Sequence, residues 1–181
     1  MSSKALFLDR DGVINVDYAY VHQAEKFEFI EGIFDLCRVA KEKDYKIIVI
    51  TNQAGIGRGY YSEDDFHELT HWMLSEFSRQ EVEIDDVYFC PFHPEKGIGE
   101  YRKDDPCRKP NPGMIFKAIR EHGIDPDQSI LVGDKESDVE AGINAGIRKN
   151  FMFKPNQGKQ YISQTKATAT FYSHQELLKC L

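Results

Sequence analysis

The chain has 181 residues, of which 41% are hydrophobic, 29% charged and 12% aromatic, and a formal charge of -7. That length builds one substantial core and is short for two, so a single domain over residues 1–181 is expected. The composition is that of a folded soluble chain rather than a disordered or fibrous one, and the acidic balance argues against a nucleic-acid partner, which needs a clustered basic surface.

Residues 4–8 form the first short apolar run. Asp9-Arg10-Asp11 cuts it off before the apolar region of a signal peptide can develop. No segment approaches the roughly 20 apolar residues that cross a bilayer, so a cytoplasmic chain without a membrane partner is expected. Ile33, Leu36, Cys37, Val39 and Ala40 recur at helical spacing and predict a helix over 32–43. A second strand is predicted at 45–50, then a helix over 63–79 with Phe66, Leu69, Trp72, Met73 and Phe77 inward and His67 and His71 on its solvated side. A weaker strand at 86–90 precedes a loop over 91–112 that is too long for a mere connector. Asn111-Pro112 reads as the cap and first-turn proline of a helix reaching 121. A strand at 129–133, a helix at 136–145, a short strand at 150–154 and a helix at 175–181 complete the order. Strands with little alternation, separated by helices, predict a Rossmann-like, doubly wound, mainly parallel α/β sheet. Cys37, Cys90, Cys107 and Cys180 are scattered and too few for a disulfide-stapled scaffold, which favours a reducing compartment.

In an open parallel sheet, ligands bind at the carboxyl ends of strands. Asp9-Arg10-Asp11-Gly12 follows the first strand at once, and the glycine lets the backbone bend so that both acids aim at one point. Asp134 follows the third strong strand and brings another carboxylate to the same edge. Acids crowded together repel unless a cation sits among them, and hard oxygen ligands favour magnesium. Asp-Gly pairs also cap turns, so this pattern alone carries either reading. Thr51 and Asn52, directly after the second strand, add hydrogen-bond donors to the focus. Arg108 and Lys109 stand just before a helix start, where cations and free N–H groups attract phosphate.

Phe7-Leu8-Asp9-Arg10-Asp11-Gly12, Ile50-Thr51-Asn52, Arg108-Lys109-Pro110 and Val132-Gly133-Asp134-Lys135-Glu136-Ser137-Asp138 together resemble, in order, the four motifs of the haloacid-dehalogenase superfamily of phosphotransferases. Longer strings, Asp9 to Asn15, Asp17 to His22, Phe27-Glu28-Phe29, Thr51 to Ile56 and Cys107 to Gly113, resemble its heptose-bisphosphate and histidinol-phosphate phosphatase branch. The resemblance implies a capless fold and an aspartyl-phosphate route: Asp9 as nucleophile, and Asp11 as acid toward the leaving sugar oxygen and then base toward water. It implies Mg2+ on the Asp9 side chain, the Asp11 carbonyl and Asp134, with Thr51 and Lys109 on the nonbridging oxygens. Arg108 would read the distal part of the substrate and Lys135 would help hold Asp134 and phosphate. Asp17, Tyr18, Ala19, Tyr20, Asn52, Gln53 and Ala54 would line the sugar pocket, and Asp138 would orient its neighbours.

The pattern breaks in the long loop, where that branch carries Cys-x-His and later Cys-x-Cys around structural zinc. Here Phe92 replaces the histidine and Asp105 the first cysteine of the second pair. Cys90, His93, Asp105 and Cys107 would make four ligands only with a shift of register, so Zn2+ is disfavoured; Cys90 as a core residue and His93 as loop surface is the preferred reading. The favoured function is removal of the C7 phosphate of a heptose 1,7-bisphosphate by a monomeric enzyme acting on a small phosphorylated sugar. Histidinol phosphate and a generic sugar phosphate are the rival substrates, and a sugar-phosphate-binding regulatory module is the rival outside enzymes.

Overall fold

The first strand, β1 (Lys4–Leu8), is buried from its second residue onward because its alternate side chains enter different cores. Leu6 and Leu8 pack with Ile47, Val49 and Val132, whereas Ala5 and Phe7 pack with Ile48, Ile50 and Leu131. A strand covered on both faces shows no polar side, which is why these runs lack alternation. The computed structural model describes residues 2–155 and 164–181. Its sheet continues with β2 (Tyr45–Asn52), β3 (Asp86–Cys90), β4 (Ile130–Gly133), β5 (Lys149–Phe153) and β6 (Ala169–Phe171). All pairings are parallel, in the order β3-β2-β1-β4-β5-β6.

Helices α1 (Ile33–Glu42) and α3 (Glu63–Arg79) cover one face with Ile33, Leu36, Cys37, Leu69, Met73 and Phe77. On the other face α4 (Gly113–His122) inserts Met114, Ile115 and Ala118, and α5 (Glu136–Asn144) inserts Ala141. Ser62 caps α3 reciprocally with Asp65. The doubly wound expectation holds, and the connection between β1 and β2 carries only a loop, one turn of 3-10 helix and α1. Among the described residues no helix is long and apolar enough to cross a membrane.

Two local expectations are corrected. Asn111 does not cap α4: its amide donates to Asp105 O at 3.2 Å, and the helix begins after Pro112. The last helix, α6 (His174–Leu177), is short and passes into a 3-10 turn at Leu178–Cys180. Two elements too short to show a period were not foreseen, the single turn α2 (Ala54–Gly57) and β6.

Candidate active site

The sheet order sets the carboxyl ends of β1 and β4 side by side, at the switch point where such sheets leave a crevice. Asp9 stays in register, its N–H donating to Val132 O at 3.0 Å. Lys109 reaches across from the long loop and is 4% exposed. Its ammonium donates to Asp9 Oδ1 at 2.9 Å and Ile50 O at 2.9 Å, and pairs with Asp138 Oδ1 at 2.7 Å. Burial alone would pull the Lys109 pKa down; Asp138 and Asp9 overcome it and raise it above the ordinary lysine value. Asp138 Oδ2 accepts from the N–H groups of Asp134 and Lys135 at 3.1 and 3.0 Å, fixing the start of α5.

Asp9, Asp134 and Asp138 each place a carboxylate oxygen within 4.8 Å of the others. One ammonium does not balance three acids. Burial and the neighbouring Asp138 push the Asp9 carboxyl well above its usual range, and push Asp134 up to about 6. Asp134 Oδ1 is buried with no hydrogen-bond partner among the described residues. An acid cluster with an orphaned oxygen and excess charge fits a hard divalent cation such as Mg2+. Gly12 admits this arrangement: its φ is +92°, and a Cβ there would lie 2.2 Å from Asp134 Oδ2.

Asp11 turns its side chain away from that cluster. Oδ1 accepts from Asn15 Nδ2 at 2.9 Å and the Arg10 guanidinium at 3.0 Å, and Oδ2 accepts from Gln53 Nε2 at 3.2 Å. Arg10 is 1% exposed, lies over the Phe27 and Phe66 rings, and donates to Val21 O at 2.7 Å. Gln53 also donates to Thr51 Oγ1 at 2.8 Å and accepts from the Tyr61 hydroxyl. The Asp11 carboxylate is therefore aimed by three groups, one of them Gln53 backed by Tyr61, and of these residues only Gln53 was singled out from the sequence. Arg10, Asn15 and Tyr61 were missed, although Arg10 lies between the two acids in the motif itself.

The cleft above these groups has a volume of about 570 Å³. Asp17, Ala19, Tyr20, Asn52, Gln53, Ala54, Arg108 and Lys135 line it, together with Arg58, His93, Lys96 and Ser137. Lys135 Nζ sits 3.7 Å from Asp17 Oδ2. Arg108, its pKa lowered by burial, donates to Phe92 O at 3.2 Å. The Asn52 side chain is engaged on both sides of the Lys109 backbone, accepting from its N–H at 3.1 Å and donating to its O at 3.2 Å. Tyr18 departs from expectation: it is exposed, its hydroxyl donates to Glu28, and it lines the neighbouring groove over residues 18–28. Its ring is held outside the cleft by that bond.

Residues 106–169 match the HAD-hydrolase-like family model. Over 147 residues the chain is 58% identical to the D-glycero-alpha-D-manno-heptose-1,7-bisphosphate 7-phosphatase of Burkholderia mallei, covering 81% of this chain and 78% of that protein. The chain belongs to the haloacid-dehalogenase-type heptose-bisphosphate phosphatase family. It is also 50% identical over 152 residues to the D-glycero-beta-D-manno-heptose-1,7-bisphosphate 7-phosphatase of Haemophilus influenzae, covering 84% of this chain and 82% of that one. The fold matches the crystal structure of D,D-heptose 1,7-bisphosphate phosphatase from B. bronchiseptica, complexed with magnesium and phosphate, at a TM-score of 0.83 and 24% identity, over 98% and 99% of the two chains.

In this member of the family, the long loop uses its sulfurs in another way than the zinc pattern suggests. Cys90, at the end of β3, and Cys107 form a disulfide with a Cα–Cα distance of 5.6 Å, a pairing that the scattered spacing did not announce. His93 Nδ1 accepts from the N–H groups of Glu95 and Lys96 at 3.2 and 3.0 Å. Asp105 accepts from Cys107 N at 2.9 Å and pairs with Lys103 at 2.8 Å. Among the described residues, Cys90, His93, Asp105 and Cys107 do not form one of the close clusters of possible metal ligands.

Proposed function

We propose that this chain removes the C7 phosphate of D-glycero-D-manno-heptose 1,7-bisphosphate through a phosphoenzyme formed on Asp9. The observation that carries this reading is the buried Asp9–Lys109–Asp138 network with Asp134 beside it, whose Oδ1 has no partner among the described residues, and Asp11 separately aimed. Hydrogen bonds from Lys109 and Arg10 N gather on Asp9 Oδ1, which leaves Oδ2 to attack phosphorus. As that bond forms, the bond from phosphorus to the sugar oxygen breaks. Asp11 gives the leaving oxygen its proton, then takes one from the water that cleaves the acyl phosphate, so that Asp9 and inorganic phosphate are restored. The Thr51 hydroxyl and Lys109 hold nonbridging oxygens. Mg2+ on the side chains of Asp9 and Asp134 and the carbonyl of Asp11 would neutralise repulsion between nucleophile and phosphate.

The sugar would occupy the wall of Asp17, Ala19, Tyr20, Gln53 and Ala54, with Lys135 beside the transferring group and the distal phosphate toward Arg108. The same reading holds that one domain over 1–181 does this as a cytoplasmic monomer on a small substrate, without nucleic acid or membrane. It also holds that the Cys90–Cys107 bond and packing of the loop stand in for zinc; that bond runs against the reducing compartment expected from the cysteine count, because structural disulfides are rare there. Phosphate release with Mg2+ from both anomers of the bisphosphate and from histidinol phosphate tests the substrate, and 31P NMR shows which phosphate leaves. Equal rates for wild type and Asp9→Asn would end the covalent mechanism, and stoichiometric zinc by metal analysis would end the account of the loop.

A further inference from the structure

His174 opens α6 at the far end of the chain and is 1% exposed. Its Nε2 lies 2.8 Å from Val13 O, 161 residues earlier. A carbonyl only accepts, so the ring carries its proton on Nε2. Nδ1 is buried without a partner among the described residues. The ring stacks on Phe153 at 4.3 Å and 15°, and α6 packs tightly on the turn before α1: a Cβ on Gly32, whose φ is +86°, would come within 3.1 Å of the His174 Cβ.

Val13 belongs to the turn that presents both acids. The N–H groups of Val13, Ile14 and Asn15 all converge on Arg10 O at 3.2, 2.8 and 3.2 Å, and Gly12 N donates to Asn15 O at 2.7 Å. The turn is therefore closed on itself through Arg10 O, while Val13 O faces outward and is secured by the imidazole. Phe153, under the ring, precedes Lys154, whose ammonium donates to Asp134 O. One side chain thus touches the turn after β1 and the end of β5 that supports Asp134.

We propose that His174 is a positioning residue for the catalytic turn: its Nε2–H, delivered by the C-terminal helix, holds Val13 O and so sets where Asp9 and Asp11 point. The proposal rests on the phosphatase reading. A histidine that only fills space would be replaceable by any side chain that packs; a positioning histidine is replaceable only by one that returns a donor to the same place. Gln carries its amide nitrogen as far along the side chain as Nε2, whereas the Asn amide falls short.

The test compares wild type with His174→Leu, His174→Gln and His174→Asn, all with Mg2+ and p-nitrophenyl phosphate or the heptose bisphosphate. No phosphate release by wild type from either compound would defeat the phosphatase reading itself. With wild type active, Leu and Asn are expected to lower kcat about ten- to a hundredfold with KM little changed, and Gln to restore most of the loss. Wild-type kcat in the Leu variant, or equal impairment of Gln and Asn at matched Tm, would overturn the proposal. If the Leu variant does not fold, the Gln–Asn comparison decides alone. A long-range 1H–15N spectrum should show a protonated Nε2 and a bare Nδ1; the opposite tautomer would also overturn it.

Discussion

Lys109→Met keeps most of the stem and removes the single ammonium from the centre of the site. Three interactions vanish together: those to Asp9 Oδ1 at 2.9 Å, Asp138 Oδ1 at 2.7 Å and Ile50 O at 2.9 Å. Breaking one partner out of a buried ion pair costs about 3–5 kcal/mol, because the remaining charge is left without compensation. Asp9 is already held above its usual range by burial and Asp138, with Lys109 as the main opposing influence, so the variant's acids rise further. A carboxyl whose folded value exceeds its unfolded value binds more protons in the native state, and stability then falls as pH rises through that window. The deficit should therefore be largest near pH 8 and shrink toward pH 5 in metal-free urea denaturation. Adding Asp138→Asn should recover about 1–3 kcal/mol in a double-mutant cycle. It should leave kcat depressed at least about a hundredfold, because the cation facing the phosphate is still missing. A cost below about 1 kcal/mol at pH 8, or the same cost at both pH values, would refute the reasoning.

Gly12→Ala should cost about 1–2 kcal/mol for its left-handed backbone and also displace Asp134, whose Oδ2 would lie 2.2 Å from the new Cβ; calorimetry should show weaker Mg2+ binding, and wild-type affinity would contradict the clash. Burial pushes the His174 pKa down to about 4, so between about 6.5 and 4 the unfolded chain binds the proton that the folded chain refuses. Stability contributed by His174 should fall as pH drops through that interval, by about 3 kcal/mol in all at ~1.36 kcal/mol per pH unit, and urea titrations of His174→Leu should lack that component. Thiol titration in denaturant without reductant should find two free cysteines, Cys37 and Cys180; four would refute the Cys90–Cys107 bond. Cutting that bond with Cys107→Ser should cost about 3 kcal/mol for a loop of this size, read as a lowered Tm.

What the sequence made legible follows from how locally each feature is encoded. β1, β2 and β4 were readable because strands buried on both faces are written as continuous apolar runs. Asp9, Lys109 and Asp134 stand immediately beside those runs or a helix start, so the topology brings Asp9 beside both of the others, whereas the Thr51 hydroxyl accepts from Gln53. The groups that aim Asp11 were hidden for a different reason. Arg10, Asn15 and Tyr61 act through contacts across a folded turn, and a buried arginine looks like any surface arginine until Phe27, Phe66 and Val21 O surround it. Tyr18 was misplaced because neighbouring residues on a loop were assigned one wall, whereas Ala19 and Tyr20 both adopt positive φ and the chain turns between them and Tyr18. The Cys90–Cys107 pair was illegible because its partners are 17 residues apart on opposite sides of an irregular loop.

The charge balance also bears on how the site fills. Asp9, Asp134 and Asp138 share one buried ammonium, which bonds to Asp9 and Asp138, and Asp134 rises to about 6 because of its burial and the neighbouring Asp138. A phosphate entering this edge brings further negative charge against a nucleophile that must itself be ionised to attack. Lys135, at the cap of α5, has a mostly exposed side chain paired loosely with Asp17, where solvent screens it. Among the described residues Lys109 is the ammonium bonded within this acid cluster, and its charge is already engaged by Asp9 and Asp138. On the proposed reading a divalent ion held by Asp9 and Asp134 would offset that charge, so its binding would both stabilise the fold and favour the ionised form of Asp9.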